Sequence, residues 1–171
     1  KDTSHRWEMF ADAGNLSSGF TRLSGESTGL FFENSLDAMK SLLNQVYLNG
    51  SGVALGDVDG DGLCDIYLCG LDSSNHLYLN QGNWDFRAVA KKYGVDCPDS
   101  DYKGDCLVDL DGDGDLDLFV NSVHGATRLY RNDGTGFSRA TGQAVDSIVP
   151  GGTSIAVADV NGDNLLDIYI S

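Results

Sequence analysis

Residues 57–65 read "DVDGDGLCD", four aspartates and two glycines in nine positions. So much like charge in one turn is unfavourable unless something offsets it. Two variants follow, "DLDGDGDLD" at 109–117 and "DVNGDNLLD" at 159–167. Asp57 and Asp109 are 52 residues apart, and Asp109 and Asp159 are 50 apart. The agreement extends beyond the acidic turns. "LYLNQG" (77–82) returns as "LYRNDG" (129–134), again at 52 residues, and Phe86 corresponds to Phe137 at 51. Self-similarity at this period indicates a propeller or solenoid built from repeated supersecondary units.

Working outward from each acidic turn, the unit reads as short strands. "GVALGD" (52–57) and "SIAVAD" (154–159) lead in; "DIYLCG" (65–70), "DLFVNS" (117–122) and "DIYIS" (167–171) lead out. Ile, Val, Tyr and Phe favour strands, and Gly-Asp clusters bound each run as in antiparallel hairpins. "NHLYLN" (75–80) and "TRLYRN" (127–132) supply third strands, "DFRAVA" (85–90) and "GFSRAT" (136–141) fourth ones. No segment in 50–171 sustains a helical period. Four short strands in about fifty residues form the blade of a β-propeller, so the expected fold is all-β, with four-stranded antiparallel blades. The expected units are a blade at 50–101, a second at 102–150 and a partial one at 151–171. Two strands alone leave an edge exposed, and three partial repeats cannot close a ring. The expectation is therefore a larger ring, completed by a longer chain or by another subunit.

Residues 1–49 lack the acidic turn. "GFTRLSGESTGL" (19–30) is similar to "DFRAVAKKYGV" (85–95) and is expected to be the outer strand of another blade. Residues 35–46 read as a short helical insert, with Ser35 as N-cap and Leu36, Met39, Leu43 and Val46 on one stripe.

Aspartates at alternate positions with glycine between them suit a calcium loop, because Ca²⁺ takes six to eight hard oxygen ligands. Positions 1, 3 and 5 aim side chains inward, a carbonyl at 7 joins them, and a carboxylate at 9 completes the set. In the first loop these are Asp57, Asp59, Asp61, the Leu63 carbonyl and Asp65. The second offers Asp109, Asp111, Asp113, the Asp115 carbonyl and Asp117. The third offers Asp159, Asn161, Asp163, the Leu165 carbonyl and Asp167. Position 6 must turn sharply, and Gly62, Gly114 and Asn164 all tolerate positive φ. An EF-hand would need a bidentate Glu at position 12; Leu68, Val120 and Ile170 stand there instead. Calcium is favoured over magnesium by the many protein oxygens. Asn161 and Asn164 predict that the third loop is the weakest.

Composition supports this reading. Eleven basic minus 26 acidic residues give a net charge of −15, which excludes a phosphate-neutralising nucleic-acid surface and docking on an anionic membrane. Three divalent ions would add +6 and bring −15 to −9. No apolar run approaches the length of a membrane span. Cys64, Cys69, Cys97 and Cys106 contain no CxxC pair, which argues against zinc. They read either as two disulfides, with three possible connectivities, or as buried free thiols. Lys1 follows no initiator methionine, consistent with processing or with a fragment.

The "DxDGDGxxD" loops between first and second strands, with "NDGTGF" (132–137) downstream, resemble FG-GAP/VCBS repeats such as those of integrin α-subunit propellers. "GSGVALGDVDGDGLCDIYLCG" (50–70), preceded by "TGLFFENS" (28–35), is still more similar to secreted FG-GAP proteins of the ASPIC/UnbV and cartilage acidic protein type. The resemblance covers about residues 19–171. It implies a propeller of commonly seven blades carrying about three calcium ions here, one per acidic loop. It also implies a secreted, extracellular or cell-surface setting, a periplasmic one being compatible. Integrin ligand recognition does not carry over, since the loops that perform it have no match here.

Catalytic signatures are absent. His5, His76 and His124 are isolated, no nucleophile elbow or HExxH is present, and Trp7 and Trp84 read as packing between blades. The expected function is a non-catalytic, calcium-stabilised adhesion, scaffold or protein-interaction module with a protein or glycan partner at the cell surface. The alternative is the propeller part of a secreted calcium-dependent carbohydrate-active enzyme, a lyase or hydrolase, its catalytic residues on other loops or further along the chain.

Overall fold

A computed structural model of the chain describes residues 21–99, 102–142 and 151–171. The first sheet comprises β1 (Val53–Gly56), β2 (Asp65–Leu68), β3 (His76–Asn80) and β4 (Phe86–Ala88), hydrogen-bonded in that order. The second comprises β5 (Tyr102–Val108), β6 (Asp117–Ser122), β7 (Arg128–Asn132) and β8 (Phe137–Arg139), again in sequence order. β9 (Ile155–Ala158) and β10 (Asp167–Ile170) form a two-stranded third sheet. Every pairing is antiparallel.

Register places the acidic loops identically in all three sheets. Gly56 faces Asp65, Val108 faces Asp117 and Ala158 faces Asp167, so each loop joins a first strand to a second one. The first strands lie side by side, β1 against β5 and β5 against β9. Sheet faces therefore stack, and the core lies between the first two sheets. Tyr67, Leu77, Leu79, Val95, Tyr102, Leu118 and Val120 are fully buried there. Burying each such side chain stabilises by roughly 1.5–3 kcal/mol. All six residues of β6 are buried, as expected of a strand covered on both faces.

Polar groups join the layers. Asn121 accepts from the Gly104 N–H at 2.8 Å and donates to the Ser154 carbonyl at 3.3 Å, linking the second sheet to the third. Lys103 donates to the carbonyls of Val46, Tyr47 and Gly50 at 2.7–3.3 Å. Those carbonyls lie within and directly after a 3-10 helix (Gln45–Asn49), so the ammonium ties that helix to β5.

The N-terminal region departs from expectation in two places. Residues 19 and 20 lie outside the described residues, and 21–30 contain no strand. Instead Gly25–Thr28 form a single helical turn, α1, capped by the Ser24 side chain and closed by Gly29 at φ 76°. The similarity to 85–95 is nevertheless structural, because Ala90–Tyr93 form a matching helical turn closed by Gly94 at φ 69°. Both stretches end a helical turn on a left-handed glycine; at 85–95 that turn follows β4, whereas no strand precedes it at 21–24. The insert is also shorter than the stripe predicts. Helix α2 spans Ala38–Leu43, and its N-cap is Asp37, whose carboxylate accepts from the Met39 N–H at 2.6 Å. Met39 and Leu43 are exposed, and Tyr47 is the buried anchor.

Candidate metal centres

Each acidic loop is built by hydrogen bonds from its own backbone to its first aspartate. Asp57 accepts from the N–H groups of Gly60, Asp61 and Gly62 at 2.8–3.1 Å. Asp109 accepts from Gly112 and Gly114 at 2.7 and 3.1 Å. Asp159 accepts from Gly162, Asp163 and Asn164 at 2.7–3.2 Å. Gathering consecutive N–H groups around one carboxylate requires left-handed backbone. Positions 4 and 6 adopt it, with φ of 74° and 84° at Gly60 and Gly62, and 65° at Asn164. The position-5 carboxylates then accept from the N–H of position 7, at Leu63, Asp115 and Leu165.

This wrapping brings the alternate aspartates together. One oxygen each of Asp57, Asp59 and Asp61 lie within 4.8 Å of one another, and so do those of Asp109, Asp111 and Asp113. In the third loop Asn161 replaces the middle carboxylate with an amide. Two like charges at this separation repel by about 1 kcal/mol in water and about 3–4 kcal/mol at the dielectric of a protein surface. Burial, followed by the Asp61 charge, pushes the Asp59 carboxyl above its ordinary value. Three converging hard oxygens on a preformed turn fit a divalent cation such as Ca²⁺.

The position-9 aspartates occupy a different place. Asp65 and Asp117 have no exposed surface. Asp65 accepts from the Val58 N–H at 2.9 Å with one oxygen and from the Asn80 N–H at 2.8 Å with the other. Asp117 does the same with Leu110 at 3.2 Å and Asn132 at 2.9 Å. Asp167 accepts from Val160 at 3.0 Å. Each carboxylate thus fastens the start of its loop, and in two sheets it also fastens the third strand. Burial raises both the Asp65 and Asp117 carboxyls, against backbone hydrogen bonds that lower them.

Three residues at the loops were not singled out by spacing. Asn80 donates to the Cys64 carbonyl at 3.1 Å and accepts from the Gly82 N–H at 2.9 Å. Asn132 donates to the carbonyls of Leu116 at 3.2 Å and of Val58 at 2.8 Å, the latter in the neighbouring loop. Their signal was present as the recurring "LY-x-N" of 77–80 and 129–132. Arg131, the third, breaks that repeat and pairs with Asp111 and Asp117.

Other expected features resolve simply. His76 pairs with the Tyr78 hydroxyl at 2.8 Å and His124 with that of Tyr47 at 2.5 Å. His5 and Trp7 lie outside the described residues. Trp84 does not pack between sheets; it sits at φ 63° in the β3–β4 turn and is 69% exposed. All four cysteines are thiols, with Cys69 and Cys97 buried. No helix among the described residues is long and apolar enough to cross a membrane.

Residues 109–170 match the family described as FG-GAP-like repeat. The chain is similar to cartilage acidic protein 1 of Mus musculus, 34% identical over 84 residues, covering 49% of this chain and 13% of that protein. The Xenopus tropicalis protein of the same name is 29% identical over 145 residues, covering 75% of this chain and 22% of the relative. The Homo sapiens one is 32% identical over 84 residues, covering 49% and 13%. The matches therefore span less than a quarter of these relatives' length.

Proposed function

We propose, from the match of residues 109–170 to FG-GAP-like repeats, that the chain is a calcium-binding β-propeller segment acting as a non-catalytic extracellular adhesion, scaffold or protein-interaction module. The observation that carries this reading is the convergence of Asp57, Asp59 and Asp61, repeated by Asp109, Asp111 and Asp113, within 4.8 Å. Ions bound there would cancel carboxylate repulsion and lock the turn between first and second strands. Asp57, Asp59, Asp61, the Leu63 carbonyl and Asp65 would hold the first ion. Asp109, Asp111, Asp113, the Asp115 carbonyl and Asp117 would hold the second. Asp159, Asn161, Asp163, the Leu165 carbonyl and Asp167 would hold the third, at the weakest site.

The sheets at 50–101 and 102–150 and the partial one at 151–171 would be blades of a ring of about seven. The side-by-side first strands support that arrangement. A secreted or cell-surface setting, with millimolar calcium available, suits loops of this type. The partner would be a protein or glycan. Native mass spectrometry with and without chelator tests the reading: about three calcium ions are expected per chain, lost with EDTA. A mass identical in both conditions would overturn it.

A further inference from the structure

We infer that Arg131 is a built-in counter-ion of the second acidic loop, offsetting part of its charge without metal and lowering its affinity for calcium. The inference rests on the calcium reading of the loops. Arg131 projects from β7 and places Nη1 2.5 Å from Asp111 Oδ2 and 3.2 Å from Asp117 Oδ2. One guanidinium nitrogen thus joins position 3, at the exposed side of the loop, to position 9 beneath it. Asp111 belongs to the trio of converging carboxylates, so a cation that takes this oxygen must share it with Arg131 or displace the arginine.

The arrangement is peculiar to the second repeat. The residue equivalent to Arg131 in the first is Leu79, which is buried in the core and carries no charge. Among the described residues, the acids of the first and third loops make no ion pair, whereas those of the second make two with Arg131. Loop charge makes sense of the difference. The first loop has four aspartates and the third has three, while the second has five, Asp115 being the extra one. Arg131 brings the second from −5 to −4, equal to the first. It does so at all times, whether or not an ion is present, so the empty second loop carries no more net charge than the empty first. A positive charge a few ångströms from a bound divalent ion weakens binding by about tenfold across a solvated surface.

Arg131→Leu, Arg131→Gln and Arg131→Lys test this in the whole chain, by calcium titration calorimetry and by melting in chelator and in calcium. In chelator, Arg131→Leu and Arg131→Gln are expected to melt several degrees lower than wild type. In millimolar calcium the gap should close, and one site should bind about tenfold more tightly. Arg131→Lys, which keeps the charge, should stay near wild type in both. Arg131→Gln covers the case in which the apolar variant fails to fold. If wild type binds calcium but neither neutral variant tightens any site, or both lose equal stability in the two conditions, this inference alone is overturned. If wild type takes up no calcium, the loop reading falls and the inference falls with it.

Discussion

Asp65→Ala is expected to destabilise the protein by about 3 kcal/mol with chelator present, before any metal is considered. The side chain is fully buried, and its two oxygens accept from the N–H groups of Val58 and Asn80. Truncation leaves both donors without a partner inside a tight turn, at roughly 1–3 kcal/mol each. Relief of a desolvated carboxylate offsets part of that cost, since burial already raises its proton affinity. Asp61→Ala provides the contrast. Asp61 is exposed and accepts only the Leu63 N–H, which water can replace, so its loss in chelator should stay within about 0.5 kcal/mol. In calcium both variants should lose stability, because each removes a proposed ligand. Urea unfolding of the two variants with and without EDTA decides the matter. Equal losses in chelator would show that Asp65 is only a metal ligand and not the fastener of its sheet.

That distinction also marks where the sequence was legible and where it was not. Runs of Ile, Val, Tyr and Phe bounded by Gly-Asp clusters located seven of the eight strands of the two full sheets to within two residues, whereas β5 was not singled out, because Lys103, Gly104 and Asp105 interrupt its apolar residues. The position-6 rule correctly assigned left-handed backbone to Gly62, Gly114 and Asn164, because few residues tolerate that conformation. Spacing alone could not separate Asp61 from Asp65, since both are aspartates in one acidic loop and only burial tells a fastener from an exposed donor. Asn80 and Asn132 were visible as a repeat but were read as strand ends, because their side chains act across a turn. At 21–30 the difference is local: "SGESTG" carries a serine N-cap and a terminal glycine, which make a capped helical turn like the one that follows β4, and residues 19 and 20, at the start of the expected strand, lie outside the described residues.

Asp105→Asn is expected to raise stability more at pH 8 than at pH 5, by up to about 3 kcal/mol across that interval. Asp105 stands in β5, counted back from its acidic loop at the position that Val53 and Ile155 occupy in the other two sheets. It faces the first sheet closely enough that a Cβ on Gly52 would lie 2.1 Å from its Oδ1. Its Oδ2 is sealed from solvent with no hydrogen-bond partner. Burial pushes the carboxyl up to about 7, only partly opposed by hydrogen bonds from the Cys69 thiol and the Ala54 N–H. Of the charged and titratable groups nearby, Cys69 is a donor to it and Cys106 is itself raised by the same burial. Lys103, in the same strand, donates to carbonyls of the N-terminal insert. The sign follows from the raised value. Below about pH 4 both folded and unfolded chains hold the proton, and the site costs nothing extra. Between about 4 and 7 the unfolded chain releases its proton while the folded chain retains it, so stability falls as pH rises. Above about 7 the carboxylate is ionised in both states and the cost is constant. Asparagine cannot ionise, so the difference in unfolding free energy between variant and wild type isolates this residue from the other aspartates. Denaturant titrations in saturating calcium at pH 5, 6, 7 and 8 should show that difference growing to about pH 7 and then levelling. A difference independent of pH would mean that Asp105 ionises normally between the sheets, with water reaching its Oδ2.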